Sequence, residues 1–131
     1  MEITQGIISE IKSAIQTLYP AYRLKKIDVY SCTDEELLAI NIKHLQHDYY
    51  TDIITFDYSK GTRISGELFI SIDRVKENAA ALGVTIKVEL RRVIAHGILH
   101  LLGFKDRSDE EVVVMRMKED EVLAYLDKYG S

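Results

Sequence analysis

The stretch DIITFDYSKGTRISGELFIS (Asp52–Ser71) decides the fold class. DIITFDY (Asp52–Tyr58) and RISGELFIS (Arg63–Ser71) are rich in β-branched and aromatic residues, and Ser59-Lys60-Gly61 between them is a turn signal. The two runs read as a hairpin. Gly66, inside the second run, marks a bulge or the close approach of a ligand.

Working outward, the flanks alternate between strand and helix. KKIDVYS (Lys25–Ser31) alternates and reads as a further strand. TDEE (Thr33–Glu36) is a capping box that opens a helix running to about His44. Ile7, Ile8, Ile11, Ile15 and Leu18 form one apolar stripe, which predicts a first helix from Thr4 to Leu18. Pro20 stops it, because the residue before proline avoids the α region. Downstream, a helix from Asp73 to Leu82 is closed by Gly83, and a longer apolar-rich helix runs from Thr85 to about Leu102. SDEE (Ser108–Glu111) is a second capping box, opening a last helix to about Tyr129. The sum is a small α+β domain over residues 1–131: three or four strands with about five helices.

Composition narrows the setting. Of 131 residues, 47% are hydrophobic and 29% charged, enough for both a core and a soluble surface. The single Cys32 rules out an internal disulfide and reads as a small buried apolar residue. The opening residues lack the basic and apolar segments of a signal peptide, and no run of about 18 apolar residues predicts a membrane span. The expected location is the cytoplasm. A net charge of −4 is not that of a protein held on nucleic acid by charge alone, although a local basic patch is compatible with it.

The long helix carries the chemistry. HGILHLLGFKD (His96–Asp106) places His96 and His100 four residues apart, so both imidazoles lie on one helix face. Gly103 then ends the helix and turns the chain, and Asp106 is positioned to fold back. Two imidazoles and one carboxylate form the three-ligand set of a catalytic zinc, with a fourth position left for water. The plainer reading is a packed, hydrogen-bonded histidine pair. The same donors also suit Ni, Mn or Fe. A zinc protease carries Glu directly after the first His as general base. Here that position is Gly97, so a metallopeptidase is the weakest reading.

These residues resemble the YbeY family. HGILHLLGFKD is similar to the family signature HGxLHLxGYDH, TDIITF (Thr51–Phe56) to TDVLSF, and GELFIS (Gly66–Ser71) to GDIxIS. Asn41, Met115 and Glu119 also fall where the family pattern has them, and the likeness spans roughly residues 28–125. The resemblance implies a cytoplasmic endoribonuclease acting on single-stranded RNA, with one zinc ion held by three signature residues. It further implies ribosome or small-subunit assembly intermediates as partners. The implied roles are maturation of the 16S ribosomal RNA 3′ end and ribosome quality control. The alternative within the resemblance is a non-catalytic assembly factor with a structural zinc.

Two positions depart from the family. Asp106 stands where most members have His, and Lys105 where they have Asp. Asp is a competent zinc ligand, so His96, His100 and Asp106 are the expected metal ligands and the catalytic residues acting through the ion's water. Leu45 stands where many members carry an Arg taken to bind RNA phosphate. That leaves Arg92, one turn before His96, as the candidate phosphate contact, with Arg91, Lys87 and Arg63 behind it; for each the plainer reading is a solvated surface charge. Thr55 and Gly66–Glu67 line the site by family analogy, with Glu67 either orienting a His or sitting on a strand edge. Asp52 and Asp57 read as strand-end or turn carboxylates. The loop Leu45–Tyr50 is aromatic and polar, which suits base stacking, with His47 and Asp48 as candidates to face substrate; Tyr49 and Tyr50 read equally as core or rim packing.

Overall fold

The computed structural model describes residues 3–46 and 51–129. Its elements follow the order α1 (Gln5–Leu18), β1 (Arg23–Cys32), α2 (Asp34–Leu45), β2 (Ile53–Asp57), β3 (Arg63–Ser71), α3 (Ile72–Leu82), α4 (Ile86–Leu101) and α5 (Asp109–Tyr129). The sheet has three strands in the order β1-β3-β2. β2 and β3 are the expected antiparallel pair, while β1 joins the other edge of β3 in parallel. The domain is thus α+β with a mixed sheet.

Local chemistry fixes most of the boundaries. Thr33 and Glu36 close their capping box reciprocally: the Glu36 amide donates to Thr33 Oγ1 at 3.1 Å and the Thr33 amide to Glu36 Oε1 at 2.8 Å. Ser108 and Glu111 repeat the motif at the start of α5, at 3.1 and 2.9 Å. Thr85 caps α4 through the Val88 amide.

β3 alternates cleanly, with Ile64, Gly66, Leu68 and Ile70 buried. This face meets α4, whose Leu90, Val93, Ile94, Ala95, Ile98 and Leu99 are all buried. α1, α3 and α5 pack around α4, so the histidine-bearing helix is the axis of the domain.

The contact between α4 and the sheet is unusually tight, and two glycines make it possible. A Cβ on Gly66 would stand 2.6 Å from the Phe56 carbonyl oxygen and 2.9 Å from a Leu101 methyl. One on Gly97 would stand 2.7 Å from an Ile53 methyl and 2.9 Å from the methyls of Leu68. Gly66 therefore answers a close approach of the protein to itself. The register shift in the sheet lies elsewhere, in β1 between Leu24 and Ile27. Gly97 has the same cause: it lets α4 sit down on β2 and β3.

Candidate metal centre

His96 and His100 project from the last two turns of α4 with ring centroids 4.8 Å apart. The helix then ends in a Schellman motif. The Phe104 amide donates to the Leu99 carbonyl at 3.1 Å and the Gly103 amide to the His100 carbonyl at 3.0 Å, with Gly103 at φ 109°. Phe104 packs back on the core, edge-on to Tyr19. This reversal brings Asp106 over the histidines. Its Oδ2 lies 3.1 Å from His96 Nε2 and its Oδ1 3.3 Å from His100 Nε2.

These spacings fit an ion. For Zn–N and Zn–O bonds of about 2.0–2.1 Å, the edge of a tetrahedron is about 3.3–3.4 Å. One ligand atom from each of His96, His100 and Asp106 lies within 4.8 Å of the others. All three side chains are partly open to solvent, which leaves an approach for a further ligand.

His96 is oriented from behind. Its Nδ1 is 2.7 Å from Glu119 Oε2 on α5; in the neutral ring a proton on Nδ1 donates to that carboxylate and leaves Nε2 as the metal-binding atom. Glu119 is only 5% exposed and is held in turn by Arg92 at 3.3 Å and Arg116 at 3.6 Å. Burial works against a charged His96 ring. The Glu119 hydrogen bond and charge, with Asp106 and Asp52 behind them, outweigh that and raise its pKa above the ordinary value.

The other expected residues fall into place variously. Arg92 reaches the site's rim, but its guanidinium is engaged by Glu119, by Asp120 at 2.9 Å and more distantly by Glu89 at 3.8 Å. Arg91 pairs with Glu10 on α1 at 2.6 Å, tying two helices together. Lys87 and Arg63 are exposed, and neither borders the two grooves described below. Glu67 accepts from the Tyr58 hydroxyl at 2.7 Å, so its partner is a tyrosine and the His-orienting carboxylate is Glu119. Asp57 accepts from the Ser59 amide, the turn role expected of it. Cys32 is half-buried, with its thiol pushed up by burial and by Glu36. His47, Asp48, Tyr49 and Tyr50 lie outside the described residues.

Asp52 is closer to the chemistry than a strand-end carboxylate would be. Two grooves meet at His96, Asp106 and Asp52. One runs between α2, β2 and α4, past Leu45, Thr55 and His100. The other is a cleft of about 430 Å³ between α3, α4 and α5. Burial raises the Asp52 carboxyl above its usual range, opposed by the nearby His96.

Sequence reasoning placed Glu119 only by family pattern and passed over Glu89. A signal was present for Glu119. Met115, Glu119, Val122 and Leu126 are the buried stripe of α5, and a carboxylate within an apolar stripe needs a polar partner.

Fold and site together define a small α+β domain whose central helix bears a His-x-x-x-His pair closed by a returning carboxylate. The family model described as "Endoribonuclease YbeY" matches residues 1–127. A Flavobacterium johnsoniae protein named Endoribonuclease YbeY is 50% identical over 99 residues, covering 76% of this chain and 71% of its own. The protein of that name from Phocaeicola vulgatus is 49% identical over 123 residues, covering 94% and 86%. The solution structure of a Thermotoga maritima protein shares the fold, with a TM-score of 0.63 at 24% identity over 98% of this chain and 89% of that one. The chain belongs to the YbeY family.

Proposed function

We propose that this chain is a zinc-dependent, single-strand-specific endoribonuclease, working as one unit over residues 1–131, that acts in the cytoplasm on ribosomal RNA. Its place would be the maturation of the 16S 3′ end and the quality control of ribosomes, with small-subunit intermediates as partners. Relatives about 50% identical carry the name endoribonuclease, which supports the reaction class. No helix among the described residues is long and apolar enough to cross a membrane. The observation that carries the metal reading is the donor set: two imidazole nitrogens, each 3.1–3.3 Å from an Asp106 carboxylate oxygen, with one ligand atom of each residue within 4.8 Å of the others, where two grooves meet.

His96, His100 and Asp106 would hold the ion. A divalent ion in that position supplies Lewis-acid stabilisation of charge on the scissile phosphate and makes water at its open position more acidic. The chain's residues do the rest. Glu119 fixes the tautomer and angle of His96 through Nδ1. Arg92 holds Glu119 in place and, lining the cleft beside His96, is the candidate contact for a phosphate oxygen. Asp52, at the junction of the grooves, is placed to accept a hydrogen bond from the attacking hydroxyl or water. Asp106 in place of a third imidazole would cancel more of a bound ion's charge, so the site would acidify water less than a three-His site.

The direct test offers metal-loaded protein a labelled single-stranded ribosomal RNA and, in parallel, casein. Cleavage of RNA alone, lost in His100→Ala, is the expected result. Full cleavage by the His100 variant would overturn the metal mechanism. Stable zinc and retained ribosome association without cleavage would instead favour an assembly factor.

A further inference from the structure

The cleft between α3, α4 and α5 opens beside His96 and is not needed to hold the ion. Its walls are Asn78 from α3, Glu89 and Val93 from α4, and Met115 and Arg116 from α5. At about 430 Å³ it is within the size range of small-ligand pockets and holds one nucleoside-sized group. The exposed side chains of Leu82 and Val112 give it the apolar surface a flat ring needs.

Glu89 is its unusual feature. The residue is 4% exposed, and its Oε1 makes no hydrogen bond among the described residues. The Arg92 Nε stands 3.8 Å from it, beyond hydrogen-bond length. A buried carboxylate oxygen without a donor is costly, and a donor brought by an occupant removes that cost. The two arginines on the cleft, Arg92 and Arg116, are both drawn to Glu119. The wall at Glu89 itself therefore seeks N–H donors, and phosphate belongs at the His96 end of the cleft.

We propose that this cleft is a nucleobase pocket for the nucleotide next to the cut phosphodiester, and that Glu89 makes it prefer guanine. Guanine alone among the four bases presents two adjacent donors, N1–H and the 2-amino group, which a carboxylate accepts together. Its O6 acceptor suits the Asn78 amide or the Arg116 guanidinium. Uracil presents one N–H between two carbonyls, which face a carboxylate badly. Adenine and cytosine pair an amino group with a ring acceptor. The phosphate of the bound nucleotide lies toward His96 and Asp106, so the pocket rests on the nuclease reading for its purpose but not for its binding.

The test is calorimetric titration of zinc-loaded protein with guanosine 5′-monophosphate and uridine 5′-monophosphate, paired with cleavage of single-stranded oligonucleotides that differ in one base. The shared phosphate cancels in the comparison. Guanosine monophosphate should bind roughly tenfold or more tightly than the uridine nucleotide, the scale of a hydrogen bond to a charged group. Glu89→Gln should collapse that ratio toward one. Asn78→Ala, which lies outside the Glu89–Arg92–Glu119 chain, should narrow it without disturbing zinc affinity. Equal binding of the two nucleotides, or an unchanged ratio in Glu89→Gln, overturns the pocket even if RNA is cleaved. Preferential guanine binding without cleavage of any RNA upholds the pocket and counts against the nuclease reading instead.

Discussion

The Nδ1 of His96 stands 2.7 Å from Oε2 of Glu119, two groups separated by 23 residues of chain. This contact converts a packed helix histidine into an oriented donor. It also couples the site to α5, because Glu119 is buried and clamped by Arg92 and Arg116.

Removing that partner should loosen the metal. Glu119→Ala is expected to weaken zinc binding by roughly 10–100-fold, the usual effect of losing an outer partner of a ligating histidine. Competition against a chromophoric chelator measures it. An affinity equal to that of the wild type would show that His96 needs no orientation from α5.

How much of this could be read beforehand depended on distance along the chain. The caps at Thr33 and Ser108, the hairpin at Asp52–Ser71 and the turn at Gly103 are local, and each lies in the structure where its residues put it. The His96, His100 and Asp106 grouping is nearly local, spanning only the end of one helix and its cap. Glu119 and Asp52 approach His96 from other elements: the buried stripe of α5 marks Glu119 as needing a polar partner, but no spacing rule names His96 as that partner, and none reveals Asp52. Arg92 was readable as a helix neighbour of His96, but not as a residue engaged by Glu119 and Asp120. The parallel pairing of β1 with β3 is likewise a tertiary choice. Gly97 was legible as a missing base, but its cause, the methyls of Ile53 and Leu68, was not.

The two packing glycines should differ in what they harm. In Gly66→Ala the new methyl meets the backbone oxygen of Phe56, which cannot rotate away. A loss of about 1–3 kcal/mol in urea unfolding is expected, typical of overpacking. In Gly97→Ala the clash is with side-chain ends, but these are packed between helix and sheet, so α4 must lift. That variant should lose zinc affinity as well as stability. Retention of wild-type stability by Gly66→Ala would contradict the close approach.

Gly103 carries a different constraint. Its φ of 109° lies in a region that L side chains rarely adopt. Gly103→Ala should cost about 1–3 kcal/mol of stability, the scale of such backbone strain. It should weaken zinc binding too, since the turn carries Asp106 back to the histidines. Circular dichroism melts and the chelator competition check both. Zinc affinity unchanged alongside lower stability would separate the turn from the site.

Glu89 gives the stability a pH dependence of definite sign. Unfolded, it titrates near its ordinary 4.5; folded, burial raises that value, and the opposing Arg92 does not cancel it. The folded protein keeps this proton where the unfolded chain has lost it. Its contribution is therefore fully present below about 4.5 and is lost as the pH rises through the folded value. Glu89→Gln cannot ionise. Across urea titrations from about pH 4 to pH 7, the stability difference should move in the variant's favour as pH rises. A difference that does not vary with pH would contradict the assignment.

The most direct measurement is cleavage of one labelled single-stranded RNA by three preparations: zinc-loaded protein, the same protein stripped by chelator, and zinc-treated Asp106→Ala. Cleavage by the first, loss in the second with recovery on adding zinc, and absence in the third are predicted. Equal cleavage by all three would contradict a metal-dependent nuclease built on His96, His100 and Asp106.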